Sequence, residues 1–485
     1  MSLEYEIVIG LEVHVEIATE SKIFCGCATR FGSASNTQTC PVCLGLPGTL
    51  PVLNKKVLEQ AMRAALALGS KISEYTKFDR KNYFYPDLPK AYQISQYDKP
   101  LSLGGKVTIN TSQGEKKIGI TRLHLEEDAG KLLHQSSGGQ IGTAQESLVD
   151  YNRAGIPLIE IVSEPDMRSA EEAYNYLVNL KAILEYAQIS DCNMEEGSLR
   201  CDANISLRPK GQKQLGVKVE IKNMNSFKNI KAALEYEVRR QSNLLASDEK
   251  ITQETRLWDT DKQITLTMRS KEEAHDYRYF PEPDLPPLKL TQDMQQVISA
   301  SLPELPLAKK TRFKKEYTLS DYDINILTTT RELADFFEAS VKSCSGVQAK
   351  NICNWITVEL LGKLNSENKK ITQSPITPKD LAELVNLIER GNISGKIAKE
   401  VFAKMYTTAK SPQVIVEEQG LSQISNTEEL GQMVATVIQA NPAVVKEYQQ
   451  GKKQALGFLV GQIMKISKGQ ANPKIINQLL KEKLD

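Results

Sequence analysis

The chain of 485 residues lacks the features that mark membrane, secreted or disordered proteins. No stretch approaches the roughly 18 uncharged apolar residues that a membrane-spanning helix needs. The N-terminal MSLEYEIVIG has neither the basic nor the apolar region of a signal peptide. Lys and Arg number 61 against 60 Asp and Glu, so the net charge of +1 indicates no particular partner. We therefore expect a cytosolic or organelle-matrix protein of roughly two to four packed domains.

Common nucleotide-binding and amide-hydrolysing motifs are also absent. The nearest match to a P-loop, GNISGK at 391–396, is one residue short between its glycines and is followed by Ile397. No GxGxxG follows a predicted strand, there is no Ser-rich amidase signature, and neither Cys192 nor Cys201 has the context of a glutaminase nucleophile. Any ATP chemistry must therefore use another kind of site, and any ammonia must come from another protein.

Three segments of the first 290 residues alternate between apolar and polar residues, as half-buried strands do. They cover residues 10–17, 199–208 and 217–222. Between them, Ser169 and Glu172 resemble a capping box at the start of a helix. Strands with one polar face predict an antiparallel or mixed sheet that is covered on one side.

Four prolines between residues 281 and 287 end this mixed region, because proline interrupts both helices and central strands. From about residue 308 onward the pattern is helical, with further joints at 394–395 and 411–412. We expect a first domain over 1–292 and two helical domains over 293–410 and 411–485. The last one has eight lysines and two acids between residues 446 and 483, a local charge of 8 − 2 = +6.

Four of the eight cysteines are clustered in two pairs. Cys25 and Cys27 are followed after twelve residues by Cys40 and Cys43. Two thiolate pairs on tight turns can form a closed tetrahedral zinc site, which has no open position for catalysis. The alternative is four buried or free cysteines near an exposed loop. We expect a structural zinc ion that holds an insertion, about 25–43, too small to have its own core.

Carboxylates from several predicted strands fall on the polar faces. Glu12 and His14 are two residues apart on one strand, and HLEED at 124–128 and Glu220 supply further acids. Clustered acids repel one another unless a cation lies between them, and oxygen ligands with one imidazole suit Mg²⁺ or Mn²⁺. The alternative is a solvated polar sheet face with surface salt bridges.

Basic and amide side chains are interleaved with these acids in the segments 79–87 and 150–160. An arginine such as Arg153 can bind a phosphate or carboxylate with two hydrogen bonds. It can equally form an ordinary ion pair at a sheet edge, and composition alone does not separate the two.

Taken together, the motifs resemble those of the B subunit of the glutamyl-tRNA(Gln)/aspartyl-tRNA(Asn) amidotransferases. The matching segments occur in the same order: GLEVHVE (10–16), RKNYFYPDLPK (80–90), HLEEDAGK (124–131), DYNRAGIPLIEIVSEPD (150–166), EEGSLRCDANIS (195–206), EIKNMNSF (220–227) and YRYFPEPDLPP (277–287). The resemblance implies an α+β fold with a curved antiparallel-sheet cradle, like that of glutamine synthetase and the guanido kinases. A helical domain and a small all-α tail domain are expected to follow.

The resemblance also implies a ligase. The family phosphorylates the side-chain carboxylate of a misacylated Glu-tRNA(Gln) or Asp-tRNA(Asn) with ATP, and ammonia then displaces the phosphate. Because carboxylate and polyphosphate are both anionic, divalent metal is expected between them. The implied partners are an amidase (the A subunit) that supplies ammonia, a small C subunit and the misacylated tRNA, with a non-discriminating synthetase as a further partner. A cytoplasmic location is expected.

Site residues are carried over from the family position by position. Glu12, His14 and Glu127 are the expected Mg²⁺ or Mn²⁺ ligands, with Glu126 and Glu220 as further candidates. Strand alternation puts Glu127 on the opposite face from Glu126, so its choice depends on the family alone. The remaining expectations are Lys81, Arg153, Arg200 and Asp202 around the reacting groups, Cys25, Cys27, Cys40 and Cys43 for zinc, and Lys452, Lys453, Lys465 and Lys468 for tRNA.

Two other functions remain open at this stage. The same sheet face can serve a free-standing ATP-dependent carboxylate–amine ligase that acts on a small metabolite. A non-catalytic zinc-containing RNA-binding scaffold is the second alternative, and it predicts no nucleotide hydrolysis. The basic tail is also consistent with an ordinary solvated helix face.

Overall fold

The computed structural model describes residues 5–134, 146–270, 276–344, 348–421, 427–467 and 471–484. The chain divides into two compact units, Met1–Pro306 and Leu307–Asp485. Within the described residues, no helix has the length and apolar character needed to cross a membrane.

The first unit mixes strands and helices. Its strands are β1 (Tyr5–Glu16), β2 (Lys71–Ile72), β3 (Tyr75–Thr76), β4 (Asp79–Asn82), β5 (Tyr92–Ser95), β6 (Ser102–Leu103), β7 (Lys106–Thr111), β8 (Gly114–Glu127), β9 (Lys131–His134), β10 (Ser147–Asp150), β11 (Pro157–Ser163), β12 (Leu199–Pro209), β13 (Val219–Lys222), β14 (Glu254–Asp259), β15 (Ile264–Ser270), β16 (Phe280–Pro281) and β17 (Leu288–Lys289). Its helices are α1 (Lys55–Ala67), α2 (Ala170–Tyr186), α3 (Phe227–Ala246) and α4 (Gln292–Ala300).

A ten-stranded sheet organises the first unit. Its order is β15-β14-β13-β12-β1-β11-β8-β6-β2, and β7 pairs with β8. The sheet is mixed rather than antiparallel throughout, because β13 and β14 run parallel. The cause is the connection between them: a parallel neighbour requires a crossover, and α3 supplies it. The mixed α and β character is confirmed, whereas the likeness to a curved cradle remains a prediction.

One face of this sheet carries the hydrophobic core. Leu11, Val13 and Val15 alternate along β1, Ile17 follows its end, and all four are buried in one cluster with apolar residues of α1, α2 and α3. Each fully buried Leu or Val side chain contributes about 1.5–3 kcal/mol. The polar residues at the positions between them therefore lie on the opposite face, where the candidate site is found.

The start of α2 shows how local sequence fixes an element that supports this core. The hydroxyl of Ser169 accepts a hydrogen bond from the backbone N–H of Glu172, as predicted. The Glu172 carboxylate, however, accepts from the N–H of Arg168 and pairs with Lys116 at 2.8 Å. The reciprocal bond of a capping box is thus replaced by contacts that tie the helix to β8.

The second unit is helical. It contains α5 (Pro306–Tyr317), α6 (Asp321–Leu327), α7 (Arg331–Lys342), α8 (Ala349–Asn354), α9 (Leu361–Ser366), α10 (Pro378–Glu389), α11 (Gly395–Thr408), α12 (Pro412–Glu418), α13 (Thr427–Ala440), α14 (Pro442–Gln449), α15 (Gln454–Ile466) and α16 (Pro473–Leu484), with a π-helical turn at Trp355–Leu360 and a 3₁₀ turn at Ile371–Gln373. Its buried residues form two clusters, one within 313–416 and one within 430–484. The domain limits 292/293 and 410/411 stay predictions.

Candidate active site

Two histidines and two carboxylates meet on the polar face of the large sheet. His124, Glu160 and His14 are paired positions on β8, β11 and β1, and so they share one face. Glu160 Oε2 lies 3.4 Å from His14 Nε2 and 3.3 Å from His124 Nε2. Glu126 Oε1 lies 3.8 Å from His14 Nε2. Ligand atoms of His14, Glu126 and Glu160 all lie within 4.8 Å of one another, a spacing that suits a single divalent cation.

The charges in this cluster shift its titration. Burial alone would lower the pKa of His124, but the charge of Glu160 and the hydrogen bond to Glu126 outweigh it and raise the pKa to about 9. Burial would raise the pKa of Glu160, yet the charge of His124 holds it well below the usual value. Nδ1 of His124 is buried and has no hydrogen-bond partner among the described residues. Ionised carboxylates beside imidazoles are a donor set that attracts a cation.

Glu12 and Glu220 lie outside this set, although the alternation of their strands puts them on the same polar face. Glu12 Oε1 accepts a hydrogen bond from Asn204 Nδ2 at 2.8 Å. Glu220 Oε2 accepts from Thr255 Oγ1 at 2.7 Å, and its other oxygen lies 3.4 Å from Lys222 Nζ. Both carboxylates therefore have protein partners in this structure.

Glu127 is not brought together with His14, contrary to the expectation from the family. It is paired with Pro157, on the face that also carries the buried Leu125. Its carboxylate pairs with Lys90 and accepts the backbone N–H of Ile94 at 2.9 Å. The physical reason is the two-residue period of the strand, which turns neighbours Glu126 and Glu127 to opposite faces.

Glu160 was missed as a candidate ligand. It lies in PLIEIVS, residues 157–163, where apolar residues occupy both faces and no clear alternation marks the strand. The sequence feature that could have identified Glu160 is its isolation as a single carboxylate within an apolar run. When such a strand is buried, the carboxylate requires a partner of opposite charge.

A cavity of about 570 Å³ opens beside this cluster and brings together three of the four residues expected around the reacting groups. Arg153, Arg200 and Asp202 line it, together with Glu16. Arg200 Nη2 contacts the Asp128 carboxylate at 2.6 Å, while Nε of Arg200 is buried with no hydrogen-bond partner among the described residues. The rest of the Arg200 side chain is half-buried and lines the cavity, so a guanidinium group directed by Asp128 is available to an anionic ligand there.

Arg153 is held by backbone carbonyl groups at the same cavity. Its Nε donates to the carbonyl of Ala129 at 3.0 Å and its Nη2 to that of Gly130 at 2.8 Å. These bonds, with Asp128 at 3.5 Å, fix the direction of the guanidinium. Because the guanidinium is already held in a fixed direction, binding an anionic group costs little further side-chain entropy.

Lys81, the fourth expected residue, does not line this cavity. It lies on β4, in a separate three-stranded sheet with β5 and β16. Its ammonium group lies 4.8 Å from the ring centre of Tyr277 and 5.8 Å from that of Tyr83. Such contacts with aromatic faces stabilise the cation away from the cluster.

The four predicted zinc ligands converge. The Sγ atoms of Cys25, Cys27, Cys40 and Cys43 lie within 4.8 Å of one another. Lys22, which is fully buried, places Nζ 3.7 Å from Cys43 Sγ. A hydrogen bond from Cys25, the N–H of Cys40 and the charge of Lys22 outweigh burial and lower the pKa of Cys43 to about 4. This donor set fits a tetrahedral metal ion.

The lysines expected to contact tRNA are in the last helices. Lys452 and Lys453 immediately precede α15 and are exposed, and Lys465 lies in its last turn. Lys452 lies 3.6 Å from Glu447. Lys468 lies outside the described residues.

Comparison with known proteins gives matches over nearly the whole chain. The GatB/GatE catalytic domain matches residues 7–296 and the GatB domain matches residues 335–484. The chain is 59% identical over 481 residues to the B subunit of the aspartyl/glutamyl-tRNA(Asn/Gln) amidotransferase of Carboxydothermus hydrogenoformans, with 99% of each chain covered. Identity to the proteins of the same name is 57% in Caldanaerobacter subterraneus subsp. tengcongensis and 54% in Brevibacillus brevis, in each case over 99% of this chain and at least 99% of the relative.

Proposed function

Because the chain belongs to the GatB/GatE family of amidotransferase B subunits, we propose that the cavity beside the His14 cluster is its amidation site. There the side-chain carboxylate of a misacylated Glu-tRNA(Gln) or Asp-tRNA(Asn) is phosphorylated by ATP and then converted to the amide by ammonia. The observation that carries this assignment is one cavity lined by two oriented guanidinium groups, those of Arg153 and Arg200.

The two arginines provide the positive charge that the phosphorylation step needs. A carboxylate and a triphosphate repel each other, so their approach requires positive charge in fixed positions. Arg153 is oriented by two carbonyl groups and Arg200 by Asp128. Each guanidinium keeps a donor available for a phosphate or carboxylate oxygen of the bound substrates.

The cation cluster lies beside these arginines. His14, Glu126 and Glu160 would hold Mg²⁺ or Mn²⁺, which neutralises phosphate charge when bound. His124 contacts Glu160 and Glu126 at 3.3 and 3.7 Å. It thereby orients both carboxylates, as residues behind a metal ligand commonly do. The family resemblance proposes Glu12, Glu127 and Glu220 as alternative ligands, which would have to exchange their present partners to bind the ion.

The family relationship indicates the partners that the reaction needs. We expect an amidase, the A subunit, to deliver ammonia and a small C subunit to complete a heterotrimer, since the names of the relatives describe one subunit of a larger enzyme. Lys81, surrounded by aromatic rings outside the cavity, is the proposed contact for the arriving ammonia or the phosphates. The exposed Lys452, Lys453 and Lys465 are the proposed tRNA contacts in the tail domain 411–485.

The test is ammonia-dependent amidation by the assembled enzyme with an inactive glutaminase. Glu-tRNA(Gln) and Asp-tRNA(Asn) are offered separately with ATP and ammonium ions. We expect His14→Ala and Glu160→Gln to lower the rate at least about a hundredfold, because the phosphate charge loses its counter-ion. Glu127→Gln changes a carboxylate on the opposite face of the strand. Its effect on the rate therefore distinguishes the ligand set His14, Glu126 and Glu160 from the set implied by the family.

The outcomes discriminate between the candidate functions. If Glu127→Gln abolishes the rate and Glu160→Gln leaves it within a few-fold, the ligand set proposed here is wrong. ATP turnover with small carboxylates but with neither tRNA indicates a free-standing ligase. Absence of any ATP turnover in the unmodified protein indicates a scaffold.

The zinc proposal is tested by metal analysis. Replacing Cys40 and Cys43 by Ser removes two of four thiolates, so we expect the loss of one zinc ion per chain. Cys344→Ser, a change in the helical unit, is the matched control and keeps the metal. An unchanged zinc content in the double variant would contradict the four-thiolate site.

A further inference from the structure

The four-cysteine insertion, residues 25–43, forms one wall of the cavity. Residues Thr29 to Ser33, Ser35 and Gln38 line it, as do Arg200 and Asp202 of β12. The cavity is therefore built partly by a segment that has no core of its own. Its side chains face the same space as the arginines of the proposed amidation site.

Side chains anchor this wall to the loop that carries Arg153. Asn36 donates from Nδ2 to the carbonyl of Val149 at 3.0 Å and accepts the N–H of Tyr151 at 2.8 Å through Oδ1. Its own N–H donates to Asp150 Oδ1 at 3.1 Å. Asn36 thus pairs with the 149–151 backbone much as a neighbouring strand does.

Two further bonds complete the attachment. The N–H of Gln38 donates to Asn152 Oδ1 at 2.8 Å, and Asn152 Nδ2 donates to the carbonyl of Ala34 at 2.7 Å. Arg153 follows directly in the chain. The wall and the Arg153 loop are consequently one hydrogen-bonded body, and side chains on the wall are presented in fixed positions relative to Arg153.

Arg30 and Phe31 line the cavity, and neither side chain has a hydrogen bond, ion pair or ring contact with another described residue. Phe31 is 65% exposed although it is a large apolar residue that lines the cavity. Arg30 is exposed, and its guanidinium forms no hydrogen bond or ion pair within the part of the chain that the structure describes. An adjacent free cation and exposed ring on an anchored segment have the chemistry of a nucleotide contact.

We propose that Arg30 and Phe31 bind the single-stranded 3′ end of the aminoacyl-tRNA at the rim of the cavity, Arg30 at a phosphate and Phe31 against a base. This inference rests on the proposed function, since it names the substrate contacts of the same site. The ring accepts any base by stacking, and the guanidinium reaches the backbone, so the pair holds the end of the RNA without reading its sequence.

The location of the pair favours the RNA end over ATP. Both ligands offer a base and phosphates, but ATP ends within the site, whereas the RNA continues outward from its aminoacyl group. Arg30 and Phe31 are exposed, while Arg200 and Glu16, which line the same cavity, are half-buried. A ligand with its carboxylate at the half-buried Arg153 and Arg200 and its chain leaving to solvent passes the exposed pair.

The experiment measures KM separately for Glu-tRNA(Gln) and for ATP, with ammonium ions and the assembled enzyme. We expect Phe31→Ala and Arg30→Gln each to raise the KM for Glu-tRNA(Gln) about tenfold and to leave the KM for ATP unchanged. Phe31→Tyr retains a ring and restores the KM. Arg239→Gln, an exposed arginine on α3 outside the cavity lining, is the matched control.

Salt dependence distinguishes the two roles. Loss of one phosphate contact to a single strand makes the negative slope of log K against log salt shallower by about 0.7. We expect this change for Arg30→Gln and no change of slope for Phe31→Ala in Glu-tRNA(Gln) binding. Zinc is measured in each variant, because a variant that loses zinc disturbs the wall itself.

The possible results separate this inference from the proposed function. If the unmodified enzyme amidates Glu-tRNA(Gln) and both variants match it, the inference is wrong and the proposed function stands. If only the KM for ATP is raised, the pair contacts ATP and the proposed RNA contact is wrong. The proposed RNA contact is also wrong if both variants lose zinc. An unmodified enzyme that amidates neither misacylated tRNA overturns the proposed function itself.

Discussion

Asp128 is the buried anion on which the arginines of the site depend. It is 4% exposed, and Arg200 contacts it at 2.6 Å and Arg153 at 3.5 Å. Burial by itself would raise its pKa, but the charges of the two arginines lower it below the usual value. The carboxylate therefore stays ionised at neutral pH and keeps both guanidinium groups directed at the cavity.

Arg200→Met tests whether Asp128 depends on Arg200 for its charge balance. The variant leaves Arg153, at the longer distance, as the one cation paired with the buried carboxylate among the described residues, so we expect the free energy of unfolding at neutral pH to fall by about 3 kcal/mol. A carboxyl group with a lowered pKa in the folded state contributes stability above its unfolded value of 3.8, so the deficit should shrink as the pH falls below that value. Urea unfolding of the full chain at neutral pH and at about pH 3 measures it.

Arg208→Met is the matched control on the same strand. Arg208 pairs with Glu6 at 2.6 Å, but that carboxylate is far more exposed than Asp128, so we expect a loss of less than about 1 kcal/mol. Equal losses in the two variants would show that Asp128 does not depend on Arg200.

At the scale of elements, Glu367 shows how one side chain joins two helices of the second unit. It follows α9 directly and pairs with Lys363 at 3.0 Å and Lys369 at 2.8 Å. It also accepts a hydrogen bond at 3.0 Å from the hydroxyl of Tyr406 on α11. The bonds to Lys369, Lys363 and Tyr406 together lower the pKa of Glu367 to about 2.

Glu367→Gln should make stability less dependent on pH. A carboxyl group with a lowered pKa in the folded state contributes stability above its unfolded value of 4.5 and loses it as pH falls towards 2. We expect the variant to melt at a lower temperature than the unmodified chain at neutral pH, with a difference that narrows through this window. The effect is small because the group is exposed to solvent.

Thermal melting of the full chain at a series of pH values measures this difference. Glu400→Gln on α11 is the control, since Glu400 has no partner within the described part of the chain. A difference between Glu367→Gln and the unmodified chain that is constant down to about pH 2.5 would contradict the assignment.

At the scale of the whole molecule, the charge of the chain is balanced but unevenly placed. The net charge is +1, yet eight lysines and two acids lie between residues 446 and 483. A protein of this kind can bind RNA through a local basic surface without a basic overall composition. The exposed Lys452, Lys453 and Lys465 belong to this segment.

Replacing Lys452, Lys453 and Lys465 together by Gln should weaken binding of Glu-tRNA(Gln) by the assembled enzyme. Each lost phosphate contact makes the negative slope of log K against log salt shallower by about 0.9, so the loss of three contacts makes it shallower by about 2.7. Filter binding at several salt concentrations measures the slope. The exposed Lys55 and Lys56 of α1 provide the control pair, and an equal change for Lys55→Gln/Lys56→Gln would contradict a specific tail contact.

The sequence by itself determined the features that depend on neighbouring residues. Alternation placed Leu11, Val13 and Val15 in the core, and the hydroxyl of Ser169 marked the start of α2. The spacing of the four cysteines predicted a site at which their sulfur atoms indeed converge. Alternation also put Glu126 and Glu127 on opposite faces, as found. Each of these follows from periods of two to four residues or from a single hydrogen bond.

Only the tertiary structure decided which strands became neighbours. That order brings Glu160 of β11 between His14 and His124, and it makes β13 and β14 parallel. It also joins Asn36 to the backbone of 149–151, more than a hundred residues away in the chain. Such contacts arise from the packing of distant segments, which leaves no periodic signal in the local sequence, because strand pairing depends on the whole hydrophobic core being buried at once.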